Sequence, residues 1–571
     1  MMDFANRAVT AVIALFCIAA AARAQEASSS TVPTVIGQNG MVVAQESRAA
    51  RVGIDILQKG GNAVDAAVAT GFALAVTYPR AGNLGGGGYM VIHLARENLD
   101  TTIDYRETAP AAITRDIFLN EKGDADPAKS RDSALAVGVP GSLAGLALAH
   151  AKYGSGRFTL ADLIAPAIAL AREGIPIEDD VADSLPRARA RLARWPSTAK
   201  IFCRADGELL ASGDTLLQSD LANTLAAIAR AGPRAFYQGA IGEKIAAAAR
   251  GAGGVMTAQD LASYAPVERA PLRGSYRGYD VISMPPSSSG GVILIEMLNI
   301  LEGYDDLAAD ESRRLHLAVE AMKLAYADRA AFLGDPARVN APLERLSSKA
   351  YAAELRKRID PEHARPSSDI RAGGLSPREG DNTTHFSVID RDGNAVANTT
   401  TLNFSYGVGL IADGTGILLN NELDDFAAKP GAPNAYGLTG GEANAPGPGK
   451  RPLSSMTPTI VLKDGKPFLV TGSPGGSRII TAVLQVILNV IDRGLPVTQA
   501  VRLPRLHHQW LPDEVLLDNG FPQELAAALA ARGQHVVEAL PPTSANSIMV
   551  TPAGLSGAAD YRTRGALAIG Y

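Results

Sequence analysis

The chain has 571 residues, and its 54 lysines and arginines against 59 aspartates and glutamates leave a formal charge of −5. Hydrophobic residues make up 46% of the sequence and charged residues 20%, which argues against disorder and leaves material for a large core. A nearly neutral chain without basic blocks lacks the usual electrostatic basis for nucleic-acid binding, so small molecules are the expected partners.

The first 24 residues are typical of a secretory signal. Arg7 precedes an apolar stretch over residues 8–22, and Ala22-Arg23-Ala24 supplies small residues for cleavage. The stretch is too short for a membrane-spanning helix, which needs about 20 apolar residues. We expect a mature chain that begins near Gln25, resides in the periplasm or outside the cell, and has no membrane anchor. Signal removal would leave Cys203 as the remaining cysteine, which excludes an intramolecular disulfide.

Helices are predicted to dominate the chain before about residue 340, because Ala and Leu recur there at helical spacing. The predicted helices cover residues 65–75, 160–173, 221–231 and 312–332. Between them, the glycines and prolines of residues 81–90 and 283–291 predict tight turns. Residues 343–382 are polar and contain Pro and Gly, so we expect an exposed connection there.

After residue 382 the pattern changes to strands joined by tight turns. Residues 384–403 predict a hairpin around Asp392-Gly393, and residues 457–473 repeat this layout around Asp464-Gly465. A long amphipathic helix at 478–493 and a third hairpin at 546–560 follow. Helices followed by hairpins favour layered sheets covered by helices, with antiparallel pairing in the second half.

Several motifs argue against bound cofactors. The glycines of residues 81–90 lack the Lys-Ser/Thr that a phosphate loop needs, and a close approach of the backbone explains them better. His507 and His508 are adjacent and point to different sides of any regular element, and the HExxH pattern is absent. We therefore expect neither a catalytic metal nor a cofactor.

Two threonines, Thr383 and Thr384, lie where the polar linker meets a predicted strand. Taken alone they are ordinary strand-start residues, because Thr is a good strand former. Further segments, however, carry dense polar residues and glycines in otherwise apolar surroundings. These segments are residues 104–110, 401–403, 420–426, 429–437, 450–459 and 470–478.

In the order and spacing of these segments, the chain resembles the gamma-glutamyltranspeptidase family of N-terminal-nucleophile hydrolases. The resemblance implies an α+β fold, the four-layer αββα sandwich. It also implies an inactive precursor that cuts itself between Asn382 and Thr383. A signal peptide of residues 1–24 would then be followed by a large subunit of residues 25–382 and a small subunit of residues 383–571, packed as one joint domain.

The chemistry of the cut can be argued from the residues themselves. A threonine hydroxyl is a weak nucleophile and needs a nearby base, and the amide nitrogen of an internal Thr383 cannot serve. Release of the Asn382 carbonyl gives Thr383 an α-amino group with a pKa of about 7.7 to 8.0. Cleavage thus creates nucleophile and base in one residue. By resemblance, Thr401 is hydrogen-bonded near the nucleophile and assists both stages.

The family's substrate is a γ-glutamyl amide such as glutathione, so the resemblance also implies a site for one α-carboxylate and one α-ammonium. Arg106 matches the arginine on the α-carboxylate, where a planar guanidinium gives a two-point grip. The matching serines on that carboxylate are Ser454 and Ser455, and the groups around the α-ammonium are Asn403, Glu422 and Asp425. Taken singly, Glu422 also fits a solvated turn.

Two further features complete the resemblance. Gly475 and Gly476 match the glycines whose N–H groups hold the developing oxyanion, and each such donor is typically worth about 2.7 to 4 kcal/mol. Residues 429–440 match a lid loop with Tyr436 as its gating aromatic. Related cephalosporin acylases tend to lack that lid, so its presence favours γ-glutamyl substrates.

The sequence thus predicts an exported γ-glutamyltransferase and glutathione hydrolase that passes its acyl group to water, amino acids or short peptides. Two alternatives stay open. One is an acylase for glutaryl, cephalosporin-type or other side-chain amides on the same fold. The other is a non-catalytic periplasmic amino-acid-binding protein, since recognising an amino acid needs no chemistry.

Overall fold

A computed structural model of the continuous chain describes residues 34–305, 307–370, 382–429, 441–538, 541 and 543–571. The predicted signal peptide and Tyr436 of the predicted lid loop lie outside the described residues. Within them, Ile36–Tyr571 form one compact unit. No helix in the described part of the chain combines the length and the apolarity that crossing a bilayer requires.

Most of the strands belong to two large sheets. The strands are β1 Val35–Gly37, β2 Gly40–Ala44, β3 Gly87–Leu94, β4 Leu99–Asp104, β5 Ile175–Pro176, β6 Thr215–Leu216, β7 Val267–Arg269, β8 Leu272–Tyr276, β9 Tyr279–Ser283, β10 Thr383–Asp390, β11 Ala395–Thr401, β12 Ile411–Ala412, β13 Ile417–Leu418, β14 Thr459–Lys463, β15 Lys466–Thr471, β16 Leu506–His507, β17 Val515–Leu517, β18 Val536–Val537, β19 Ser547–Thr551, β20 Gly554–Ala558 and β21 Leu567–Gly570.

The helices lie mainly outside these sheets. They are α1 Ser47–Gln58, α2 Ala63–Thr77, α3 Pro127–Ser130, α4 Ser142–Tyr153, α5 Leu160–Glu173, α6 Asp179–Ala193, α7 Pro196–Phe202, α8 Ser219–Ala231, α9 Arg234–Tyr237, α10 Ala240–Gly251, α11 Ala258–Ala262, α12 Gly290–Glu302, α13 Glu311–Phe332, α14 Leu343–Leu346, α15 Lys349–Arg356, α16 Arg478–Ile491, α17 Val497–Arg502 and α18 Gln523–Ala531. Short 3-10 turns occur at Ala134–Ala136, Ser367–Asp369, Glu422–Asp425 and Glu442–Asn444.

The two large sheets have seven strands each and pack face to face. One sheet has the order β21-β2-β10-β11-β3-β4-β7, and the other β1-β20-β19-β15-β14-β9-β8. Strands β2, β10, β11 and β3 contact strands β14, β15, β19 and β20 of the opposite sheet. Helices α1, α2 and α4 cover the outer face of the first sheet, and α12 and α17 cover the second. This arrangement confirms the predicted α+β fold with four αββα layers.

The helix α2 shows how the apolar sequence specifies this packing. All its residues are buried, because the helix lies between its sheet and the helices α1 and α5. Asn62 caps its first turn by accepting from the N–H groups of Val64 and Asp65, and the Asp65 carboxylate accepts from the Asn62 N–H at 3.1 Å. Such a capping box satisfies backbone donors that a helix start otherwise leaves open.

The three predicted hairpins are confirmed as the antiparallel pairs β10/β11, β14/β15 and β19/β20. In the first turn, the Asp390 carboxylate accepts from the N–H groups of Asp392 and Asn394 at 2.9 and 3.0 Å. Gly393 has φ of +84°, which glycine adopts without strain. This local chemistry fixes the register that brings the two ends of the hairpin together.

The predicted exposed connection over residues 343–382 is wrong in its first half. Helices α14 and α15 occupy that part, and Leu346, Ala352 and Leu355 are buried against the core. Helix α15 packs on α12. The few apolar residues there share one face of a short helix, and packing against α12 overrides the polar composition.

Candidate active site

Thr383 and Thr401 lie opposite each other at the open end of the hairpin β10/β11. The register pairs the two residues directly, and their hydroxyl oxygens are 3.5 Å apart, with Thr383 donating to Thr401. Thr383 is nearly buried, with 6% of its surface exposed. Because side chains alternate between the faces of a sheet, a slip of one residue would move Thr401 to the other face.

The Thr401 hydroxyl is oriented by the backbone around the predicted cut. Its oxygen accepts from the N–H of Asn403 at 2.8 Å, and its proton is donated to the carbonyl oxygen of Asn382 at 2.7 Å. The Asn382 N–H in turn donates to the Asn403 carbonyl at 3.2 Å. Thr401 therefore polarises the carbonyl that the Thr383 hydroxyl would attack during self-cleavage.

Replacing Thr401 by valine tests this arrangement. Thr401→Val keeps the shape of the side chain but removes the donor to Asn382, so we expect self-cleavage to slow by about 10²–10³-fold, the usual effect of losing one such donor. Thr401→Ser keeps the hydroxyl and should cut at a rate near that of the wild type. The measurement is the fraction of cut chain against time on denaturing electrophoresis. Cutting of Thr401→Val at the wild-type rate would contradict this role.

Arg80 holds the side chain of Asn382, the residue that precedes the predicted cut between Asn382 and Thr383. Its guanidinium donates to the Asn382 side-chain oxygen and to the carboxylate of Asp180, which also accepts from the Tyr78 hydroxyl. Arg80 was not among the site residues predicted from the sequence. Its one signal was an arginine three residues after the end of an apolar helix, which by itself indicates no particular function.

Arg106 is fully buried and is surrounded by acidic side chains. Its guanidinium donates to the carboxylates of Glu422 and Asp425, and it lies 3.9 Å from a Glu107 oxygen. Glu422 is 1% exposed, so its reading as a solvated turn residue is wrong. The two partners of Arg106 belong to the 3-10 turn Glu422–Asp425, whose four residues are all buried.

One guanidinium cannot balance three buried carboxylates. Burial raises the pKa of Glu107 to about 8 and raises the pKa of Glu422 well above its usual value. Both oxygens of Glu107 and Oε2 of Glu422 are buried and accept no hydrogen bond from the described residues. Arg106 and its neighbours thus form a site with one fixed cation and acidic oxygens that lack donors.

The raised pKa of Glu107 predicts a pH-dependent effect of Glu107→Gln, which imitates the protonated side chain. The ordinary pKa of a glutamate is near 4.5, and that of Glu107 in the folded protein is about 8. Between these two pH values Glu107 has lost its proton in the unfolded wild type but keeps it in the folded protein. Wild-type stability should therefore fall with rising pH relative to the variant, by up to ~1.4 kcal/mol per pH unit. Denaturant unfolding of both proteins at pH 5, 6.5 and 8 measures this difference. A difference that stays constant across this range would refute it.

The predicted carboxylate-binding serines lie next to Arg106. The carbonyls of Pro452 and Leu453 accept from the Arg106 guanidinium at 3.2 and 3.5 Å, and Ser454 and Ser455 follow directly. Both serines are buried. The Ser455 hydroxyl accepts from Arg329 at 3.2 Å. Arg329 is a second neighbouring cation that was not predicted from the sequence.

Asn403 links this polar cluster to the hairpin. Its side-chain amide donates to the Asn421 carbonyl at 3.0 Å, one residue before Glu422, and its backbone is bonded to Asn382 and Thr401. Asn403 has φ of +74°, a conformation that asparagine tolerates better than most residues. The same residue therefore contacts the nucleophile region and the acidic turn.

Gly475 and Gly476 precede helix α16. Their φ angles are +130° and +59°, which favour glycine, and their carbonyls accept from the N–H groups of Arg478 and Ile479 at 3.2 and 3.0 Å. Arg478 and Asn382 line the same cavity, so this helix start faces the predicted cut. The start of a helix presents N–H groups that suit a developing negative charge.

That cavity has a volume of about 700 Å³. Asn382, Phe404 and Ser405 form part of its wall next to Thr383. It is large enough for a small peptide or a comparable organic molecule. The predicted gating residue Tyr436 lies outside the described residues.

In this chain a threonine begins a central strand of an αββα sandwich and is packed beside the carbonyl of the residue that precedes it. This arrangement defines the class of N-terminal-nucleophile hydrolases. Residues 49–570 match the family Gamma-glutamyltranspeptidase. The chain belongs to the gamma-glutamyltranspeptidase family, and the predicted resemblance and enzyme class are confirmed.

Individual relatives agree with this assignment. The chain is 52% identical to the glutathione hydrolase proenzyme of Escherichia coli K12 over 94% of this chain and 93% of that protein. A cephalosporin acylase structure from Bacillus halodurans superposes with a TM-score of 0.82 at 29% identity, covering 95% of this chain and 97% of the other. A gamma-glutamyltranspeptidase structure from Helicobacter pylori has a TM-score of 0.57 and 43% identity, covering 60% of this chain and 97% of the other.

Proposed function

We propose that this protein is a γ-glutamyltransferase and glutathione hydrolase that becomes active by cutting itself between Asn382 and Thr383. Export by a signal over residues 1–24 is part of the proposal, as are subunits of residues 25–382 and 383–571 and the absence of a cofactor. The observation that carries it is the Arg106 site, where one buried cation meets acidic oxygens that lack donors. The name of the Escherichia coli relative, a glutathione hydrolase proenzyme, supports the same substrate.

The Arg106 site suits the α-carbon end of a γ-glutamyl group. The substrate α-carboxylate would take the two-point grip of Arg106 with support from Ser454 and Ser455. The α-ammonium brings N–H donors to Glu422 and Asp425, with Asn403 beside them. Substrate binding therefore exchanges ion pairs within the protein for ion pairs with a zwitterion and buries no unbalanced charge.

Self-cleavage begins when the Thr383 oxygen attacks the Asn382 carbonyl carbon. The C–N bond breaks, the nitrogen takes the hydroxyl proton, and an ester joins Asn382 to the Thr383 oxygen. This acyl shift frees the amino group of Thr383. Water then opens the ester and leaves a carboxylate on Asn382 and the free hydroxyl on Thr383. Thr401 stabilises the charge on the carbonyl oxygen during the attack.

Turnover uses the same hydroxyl on the γ-carbonyl of the substrate. The new α-amino group of Thr383 takes the hydroxyl proton and returns it to the leaving amine, and a γ-glutamyl ester forms. The N–H groups of Gly475 and Gly476 would hold the negative oxygen. Water or the amine of an amino acid or short peptide then releases the acyl group.

Incubation with glutathione tests the proposal. We expect equimolar glutamate and cysteinylglycine, together with two bands on denaturing electrophoresis and a small subunit that begins with Thr383. An amino-acid acceptor should yield a γ-glutamyl amino acid. One uncut band without turnover would favour an amino-acid-binding protein.

The similarity to the cephalosporin acylase structure favours an acylase as the second candidate. A glutaryl amide lacks the α-ammonium of a γ-glutamyl amide but is otherwise matched to it. Faster hydrolysis of the glutaryl amide would favour the acylase. Faster hydrolysis of the γ-glutamyl amide would favour the proposed function, because Glu422 and Asp425 then contribute to binding.

A further inference from the structure

The residue that precedes the predicted cut is attached to the fold at three points. The Asn382 N–H donates to the Asn403 carbonyl at 3.2 Å, and the Asn382 carbonyl oxygen accepts from the Thr401 hydroxyl at 2.7 Å. The third attachment is the side-chain oxygen, which accepts from Nη2 of Arg80. Because a residue has only two soft backbone dihedrals, these three attachments fix the orientation of the carbonyl before Thr383.

Arg80 is itself held in place from several sides. Its Nη1 donates to the Asp180 carboxylate, which also accepts from the Tyr78 hydroxyl. The Arg80 carbonyl accepts from the N–H of Tyr406 at 3.0 Å. The side chains of Arg80 and Asp180 are mostly buried, with 15% and 16% exposed. A guanidinium presents its donors in a rigid planar fork, so the bond to Asp180 on one nitrogen sets the direction of the other nitrogen toward Asn382.

The place of this contact in the chain limits what it can do. Asp180 lies in the first turn of helix α6, where the positive end of the helix dipole favours an acidic side chain. Arg80 and Asn382 both belong to the predicted large subunit, so the bond between them does not join the two subunits. Its use therefore lies in placing Asn382 while the chain is still uncut.

We propose that Arg80 is a positioning residue for self-cleavage, which fixes the Asn382 side chain and with it the carbonyl that the Thr383 oxygen attacks. The inference rests on the proposed function and extends it from the reacting groups to the residue that orients them. In the attack, the bond from the Thr383 oxygen to the Asn382 carbonyl carbon forms and the C–N bond breaks, while Arg80 keeps its proton. Arg80 contributes by holding the reacting atoms near the geometry of attack, where even small misplacements are costly.

Two substitutions of Asn382 test the contact and leave Arg80 unchanged. Asn382→Leu is similar in size but has no acceptor, so we expect self-cleavage to slow by about ten- to a hundredfold, the usual effect of losing one hydrogen bond to a charged group. Asn382→Asp keeps an oxygen for Arg80 and should cut within about threefold of the wild-type rate. The measurement is the fraction of cut chain against time after cell-free synthesis, read by denaturing electrophoresis. Equal slowing in both variants would overturn the proposal.

Arg80→Met tests the other partner in a double-mutant cycle. In the wild-type background it should slow cutting by about the same factor as Asn382→Leu. In the Asn382→Leu background it should change the rate by less than about twofold, because the contact is already lost. A merely structural contribution of Arg80 would slow cutting by the same factor in both backgrounds, and that result would contradict a positioning role.

Arg48→Met is the matched control. The Arg48 side chain is 22% exposed and donates to Glu178, the residue directly before helix α6. The variant removes a similarly buried cation near the same helix start and should cut at the wild-type rate, whereas slowing equal to that of Arg80→Met would refute the role of Arg80. A wild-type chain that does not cut would overturn the proposed function as well. Wild-type cutting with an unchanged rate in Arg80→Met would overturn the role of Arg80 alone.

Discussion

Thr383→Ala is expected to remain a single uncut chain without activity toward γ-glutamyl substrates. The variant lacks the oxygen that attacks the Asn382 carbonyl, so neither the ester nor the new amino terminus forms. Loss of the covalent route should lower turnover by several orders of magnitude, as removal of a nucleophile does in other hydrolases. Denaturing electrophoresis measures the fraction of cut chain, and release of 4-nitroaniline from γ-glutamyl-4-nitroanilide measures the activity.

The neighbouring threonine gives a matched control for this variant. The Thr384 hydroxyl is buried and forms no hydrogen bond with the described residues, so Thr384→Val removes an oxygen and little else. We expect Thr384→Val to cut itself and to turn over substrate. Thr383→Ser, which keeps a hydroxyl, should restore cutting. A cut and active Thr383→Ala chain would eliminate Thr383 as the nucleophile.

Arg106→Lys is expected to lower kcat/KM for a γ-glutamyl anilide by at least about a hundredfold. Lysine keeps the charge among Glu107, Glu422 and Asp425 but loses the two-point grip on a carboxylate, and hydrogen bonds to charged groups are worth about 1.5–3 kcal/mol each. A 4-aminobutyryl anilide keeps the ammonium but lacks the carboxylate, so the wild type should turn it over more slowly than the γ-glutamyl anilide. Arg106→Lys should lower kcat/KM for this substrate much less. Equal losses for both anilides would contradict the grip of Arg106 on the α-carboxylate.

The variant Arg106→Ala tests how much Arg106 contributes to the free energy of unfolding. Removing the guanidinium that bonds both Glu422 and Asp425 takes away a buried cation from buried carboxylates, which typically costs about 3–5 kcal/mol. The variant should recover part of this loss at low pH, where the carboxyls take up protons. Denaturant unfolding at pH 5 and pH 8 distinguishes this electrostatic cost from lost packing, which does not depend on pH.

The elements with strong local signals were predictable from the sequence. The hairpin around Asp392-Gly393 follows from alternating strand residues and a turn dipeptide, and helices α5, α8, α13 and α16 follow from apolar periodicity. The helices at residues 343–356 were missed, because only packing against α12 makes their few apolar residues sufficient.

The sequence by itself determined the turns, the amphipathic helices and the place where Thr383 begins a strand. Tertiary structure alone decided which distant side chains meet, since Arg106 joins Glu422 and Asp425 across 316 and 319 residues and Arg80 joins Asn382 across 302. Periodicity and turn chemistry act over a few neighbouring residues. The charge balance at Arg106 instead depends on how the layers pack, a long-range property that local patterns do not contain.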